Sequence, residues 1–116
     1  LADEAGEYLL AEQVYARIIN LTSHDSEFQL SLGLHLALND HTDKAIELIG
    51  VALNDENLHV AEIFDIYATL LYDDGQFAVA EKTARKALSF DADADVRAEC
   101  QKTLDMILAA HNARAI

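Results

Sequence analysis

Five histidines, one cysteine and 21 carboxylates are the residues of this 116-residue chain whose types could support chemistry. The histidines are His24, His35, His41, His59 and His111. No two stand four apart, the spacing that puts two imidazoles on one helix face for zinc. None neighbours Cys100 in the sequence. A lone cysteine inside a helical pattern reads as a small core residue rather than a nucleophile. Asp91, Asp93 and Asp95 alternate as in a calcium loop, but its central glycine and terminal glutamate are missing. Those aspartates, with Asp73 and Asp74, fall at helix junctions, where carboxylates cap N-termini and complement the helix dipole. No glycine-rich loop is present to cradle a phosphate. Without a convergent reactive set, the chain reads as a non-enzyme with no metal and no cofactor.

Charge and composition narrow the partners. The net charge is −13. A surface this acidic repels phosphate backbones and anionic headgroups, which argues against nucleic acid and membrane surfaces. No apolar run approaches the roughly 20 residues needed to span a bilayer. A single cysteine excludes an internal disulfide and leaves the compartment open, with the cytoplasm favoured. The first residue is Leu1, so the chain reads as a piece of something longer, and its targeting is not legible. There is no proline and there are four glycines. With helix formers dominating, the expectation is a single all-α domain.

The elements that would position any site follow from an internal repeat. Three segments align: Ala5 to Ile19, Asp40 to Leu53, and Asp74 to Leu88. Each has an alanine at the same place, Ala11, Ala45 and Ala80, at spacings of 34 and 35 residues. Gly6 and Tyr8 precede Ala11 as Gly75 and Phe77 precede Ala80. Ala52-Leu53 follows Ala45 as Ala87-Leu88 follows Ala80. Upstream, Leu32, Gly33 and Leu36 match Tyr67, Ala68 and Leu71. The extra residue in the second spacing falls in the turn Asn54 to His59, where an insertion costs little.

A period near 34 residues with two helical segments per period resembles the tetratricopeptide repeat. The pattern Leu32-Gly33, Leu36, Ala45, Ala52-Leu53 carries the resemblance, with Phe64, Tyr67, Ala68, Leu71, Gly75, Phe77, Ala80, Ala87 and Leu88 in the next repeat. The family's closing proline is replaced by Asn57 and Ala92, and Gln29 stands where Phe64 supplies a large aromatic. The resemblance implies a superhelix of antiparallel helix pairs, about three repeats with the first incomplete. The units are a partial repeat over 1–25, repeats over 26–60 and 61–94, and a capping helix over 95–111. Helices are expected near 4–21, 26–39, 43–54, 60–73, 76–89 and 94–111. Ser26 with Gln29 reads as a capping box and Thr42 as an N-cap. In the last helix, Arg97, Lys102 and Asp105 mix signs on an outer face.

That long-range pattern decides an ambiguous segment. From Phe28 to Leu38 every second residue is apolar, as in a half-buried strand. The repeat makes it a helix with two apolar faces. Phe28, Leu32 and Leu36 fall on the face that packs inside a repeat. Leu30, Leu34 and Leu38 fall opposite, where the resemblance places a concave, ligand-binding surface. At the same offsets the next repeat has Asp65, Thr69, Tyr72 and Asp73, and Glu27 and Glu62 belong to the same row. The implied ligand is a protein or peptide with apolar anchors for Leu30, Leu34, Leu38 and Tyr72 and basic neighbours for the acids. Three buried leucines give roughly 5–9 kcal/mol before ordering costs of similar size. Two alternatives stay open: inter-repeat core, or a homodimer through the Leu30/Leu34/Leu38 strip. Repeat proteins that clamp acidic C-terminal tails use Lys, Asn and Arg at offsets that here hold Leu30, Leu34, Asp65 and Thr69. That use is therefore not expected. The acidic three-repeat chaperones of type III secretion resemble the chain in size, charge and helix layout.

Overall fold

The structure, a computed structural model, describes residues 25–114, and these are all-α. Five helices follow in order: α1 Ser26–Leu38, α2 Thr42–Ala52, α3 Ala61–Asp73, α4 Phe77–Ser89 and α5 Ala94–Arg114. A short 3-10 turn, Glu56–Leu58, bridges α2 and α3. There is no strand among the described residues. The helix expected over 4–21, the partial repeat over 1–25 and the end of the chain lie outside them, apart from Asp25. The alternating segment Phe28 to Leu38 is helical.

Two chain reversals make the helix pairs. Asp40 has φ 63° and Gly75 has φ 83°, each five residues before its repeat alanine. At the first, the His41 amide donates to the Leu36 carbonyl (2.9 Å) and the Asp40 amide to Ala37 (3.3 Å). At the second, Gln76 donates to Leu71 (2.9 Å) and Gly75 to Tyr72 (3.0 Å). This is the Schellman arrangement, which satisfies the last carbonyls of a helix through one left-handed residue. The chain reverses within three residues, so α2 packs along α1 and α4 along α3. Glycine adopts the left-handed conformation without strain, whereas aspartate carries a Cβ penalty. Asp40→Gly is therefore expected to stabilise the domain by about 1 kcal/mol, read as a higher urea midpoint.

The core forms around small residues. Leu36, Ala45, Leu48, Ile49 and Leu70 make one buried cluster. Ala68, Leu71, Ala80, Ala84, Leu104 and Ile107 make a second, shared by α3, α4 and α5. Ile46 and Tyr67 pack against both and join them. A third, Ala61, Ala87 and Cys100, lies where α3 and α5 begin. Gly33 and Ala45 are the expected close approach between α1 and α2. A Cβ on Gly33 would lie 2.7 Å from Ile49 Cγ1 and 3.5 Å from the Ala45 carbonyl. Ile49 is fully buried and β-branched, so that carbon has little room to move. Gly33→Ala gains helix propensity but overpacks this contact. The expected net loss is about 1 kcal/mol by urea denaturation.

Several sequence expectations need correction. Ser26 does not cap α1. Asp25 does, its Oδ1 accepting from the Phe28 amide at 2.9 Å. The Ser26 hydroxyl instead donates to Asp55 Oδ2 at 2.5 Å, across 29 residues of chain. Gln29 cannot complete a capping box because it is turned into the core, 2% exposed. Its Nε2 has no hydrogen-bond partner. Thr42 is the first residue of α2; His41 holds the cap position, and its side chain does not make the capping hydrogen bond. Phe28, placed on the inner face by its spacing, is 46% exposed. The stripe that α1 buries is Gln29, Gly33 and Leu36. A helix that is apolar on most sides gives its spacing no power to choose one. The last helix runs three residues beyond the expected end, to Arg114.

A candidate acidic groove

α3 and α5 begin side by side. The Cys100 thiol points at the Ala61 carbonyl, 3.9 Å away, and both residues are buried. Asp65 lies near Thr103 one turn further on. Ala68 and Leu71 then share a cluster with Leu104 and Ile107. The pairs advance in step, so the two helices run in the same direction. Asp93 caps α5, its Oδ1 accepting from the Val96 amide at 2.9 Å. That cap fixes where the first turn of α5 meets α3.

The two helix starts enclose a groove of about 320 Å³ lined by Glu62, Asp65, Ile66, Asp95, Val96 and Glu99. Glu62, Asp65 and Ile66 lie three and four residues apart, on one face of α3. Asp95, Val96 and Glu99 do the same from α5. Four carboxylates thus surround two aliphatic side chains, with no cation in the lining. Asp65 is the most constrained of the four. Its Oδ1 is buried and accepts no hydrogen bond. Burial, and then the nearby charge of Glu99, raise its carboxyl above the ordinary 3.8, while Thr103 opposes part of that shift. A half-buried carboxylate with no cation beside it gains from one placed there. Cys100 lies beside this groove, and burial pushes its thiol upward, which keeps it protonated and inert.

Of the eight residues singled out from the sequence, only Glu62 and Asp65 line this groove. Thr69 is half-buried and spends its hydroxyl on the Asp65 carbonyl one turn back, at 3.0 Å. Tyr72 packs edge-on against Phe77, ring centres 5.5 Å apart, and against the second core cluster. Glu27 is exposed on the first turn of α1. Leu30 and Leu34 are half-buried against the Leu36–Leu48–Ile49 cluster, whereas Leu38 is 85% exposed. Glu62 and Asp65 thus lie in the α3–α5 groove, whereas Glu27, Leu30, Leu34 and Leu38 lie on α1 and do not line it. Ile66, Asp95, Val96 and Glu99 were not anticipated. The only trace of the last three was an acidic pair four residues apart with valine between them, on a helix read as a cap.

Among the described residues, no three His, Cys, Asp or Glu side chains are placed to hold a metal ion. Among them, too, no helix is long and apolar enough to cross a membrane. Compared with known proteins, the chain matches no family model and no curated sequence.

Proposed function

We propose that this domain is a protein-interaction module of the tetratricopeptide type, and that the groove between α3 and α5 holds a peptide carrying Lys or Arg beside an apolar side chain. The observation that carries this reading is the buried, unpartnered Asp65 Oδ1 in a groove with three further carboxylates and the aliphatic Ile66 and Val96. The aliphatic pair desolvates the stem of a long basic side chain, and the acids receive its head. Matching offsets at Ala45 and Ala80 and the shared turn geometry support a repeat array. Parallel first helices of successive repeats, here α3 and α5, are what such an array needs to form a common inner surface.

The test is a titration of a dye-labelled peptide alternating Leu and Lys, with an uncharged Leu-Gln peptide as control. Binding is expected in the micromolar range, about 8 kcal/mol, falling steeply with added salt. Equal binding of both peptides would reject the reading.

A second reading rests on the exposed Leu38. Together with half-buried Leu30 and Leu34 it offers an apolar edge for self-association. Leu38→Asp is the clean probe, because Leu34→Asp would also place a charge against the core. A dimer seen by light scattering and lost in Leu38→Asp would establish that role for the edge.

A further inference from the structure

A second groove, of opposite charge, runs between the end of α2 and α4. It encloses about 450 Å³, and its lining includes Leu53, Phe64, Tyr67, Val79, Lys82 and Lys86. That size is within the range of ligand pockets, about 300–1,000 Å³. We propose that this groove docks an acidic–apolar peptide segment, one whose Asp or Glu carboxylates alternate with large aliphatic side chains.

Three observations specify that chemistry. The first is the charge. The chain has 21 acidic and 8 basic residues, yet two lysines line this groove and no carboxylate does. Lys82 and Lys86 stand one turn apart on α4, so their ammonium groups serve successive carboxylates of an extended ligand. Neither is held in a salt bridge among the described residues; Arg85 of the same helix is, by Glu81 at 3.2 Å. The second is the floor. His59 meets Phe64 edge-on at 5.1 Å and both line the groove, while Phe90, outside the lining, backs Phe64 at 5.2 Å. The His59 Nε2–H donates to the Leu53 carbonyl at 2.7 Å, which ties that floor to the end of α2. The Lys86 ammonium lies 5.4 Å from the Phe90 ring centre, at the edge of the groove that Lys86 itself lines. The third is a spare donor. Tyr67 lies across α2 at Gly50, where a Cβ would come within 3.0 Å of its hydroxyl oxygen. That hydroxyl makes no hydrogen bond among the described residues, and it faces the same groove as the lysines. A peptide carboxylate or carbonyl satisfies it.

A second copy of the chain is disfavoured as the occupant by the −13 charge that each copy carries. The two grooves use different helix faces and opposite signs, so their ligands do not exclude each other on charge.

The experiment is fluorescence anisotropy with a dye-labelled peptide alternating Leu and Asp, at low and at physiological ionic strength. Saturable binding is expected, weakened about tenfold or more by Lys82→Gln with Lys86→Gln, and unchanged by Asp65→Asn. An unlabelled Leu-Lys peptide is expected not to compete. Circular dichroism establishes that the double variant is folded, which exposed lysines on a helix permit. Absence of saturable binding to the parent protein, equal affinity in the double variant, or full competition by the Leu-Lys peptide would each overturn the assignment. A concentration-dependent dimer abolished by the same two substitutions would also overturn it, by replacing the peptide with a second copy. Loss of binding in Asp65→Asn but not in the lysine variant would place the ligand in the α3–α5 groove instead.

Discussion

Ile107→Ala is expected to lower the unfolding free energy by about 3–4 kcal/mol, a large share of what a domain of this size has. Ile107 is fully buried on α5, in contact with a floor made largely of alanine: Ala68, Ala80 and Ala84, with Leu71 and Leu104 beside them. The cost of a cavity depends on whether neighbours can collapse into it. Alanines have no rotamers with which to fill space, and α3 and α4 are already packed against each other, so the cavity stays open. Leu108, half-buried one residue on, is expected to cost about 1 kcal/mol when cut to alanine. The comparison of the two in urea, with unchanged slope, measures how far α5 belongs to the core. It covers faces of both α3 and α4, and without it their shared alanines face water. A loss below about 1 kcal/mol at Ile107 would mean that α5 is a loosely docked appendage. The acidic groove, half of which α5 supplies, would then lack a rigid wall.

What could be read from the chain, and what could not, divides along a physical line. The helix pairs were legible because tight packing needs small residues, and small residues at fixed spacing are visible: Gly33 with Ala45, Ala68 with Ala80. The Schellman turns have a weaker mark. Gly75 announces itself, but Asp40 adopts the same left-handed conformation without glycine. The capping box at Ser26 failed because a local signal lost to a distant partner, Asp55, which no spacing rule can see. The leucine strip was read as one outward face because α1 is apolar nearly all round. Its spacing cannot tell which flank packs, and in the fold Leu30 and Leu34 are half-buried with Leu38 open. The acidic groove was half legible. Glu62 and Asp65 came from the repeat offsets, but Asp95 and Glu99 join them only because α3 and α5 start together in space. The basic groove was not legible at all, since Tyr67, Leu53 and Lys86 come from three separate elements.

Asp65→Asn is expected to act in opposite directions on stability and on binding, and that opposition is what separates a functional carboxylate from a structural one. Asp65 is raised in the folded state by its burial and by Glu99. A raised carboxyl favours folding while protonated. That contribution is fully present below the ordinary value of 3.8 and is lost as pH rises through the folded value. Above it, the folded protein holds a half-buried charge that the unfolded chain would hydrate more fully. Asparagine removes that charge, so the variant is expected to unfold at a higher temperature than the parent at neutral pH. The advantage shrinks as pH is lowered through the folded value toward 3.8 and below, which thermal melts across that range would follow. Binding of a Leu-Lys peptide moves the other way. A cation beside a half-buried carboxylate relieves the penalty that folding left, and losing the carboxylate is expected to weaken the complex by about 2 kcal/mol, roughly thirtyfold. Glu27→Gln, at an exposed residue outside the groove, is expected to change affinity by less than about threefold. A stabilised variant with undiminished affinity would show Asp65 to be strained for no binding purpose, and the α3–α5 groove would lose its claim as the ligand site. Unchanged stability in Asp65→Asn at neutral pH would likewise count against the buried charge on which the proposed groove depends.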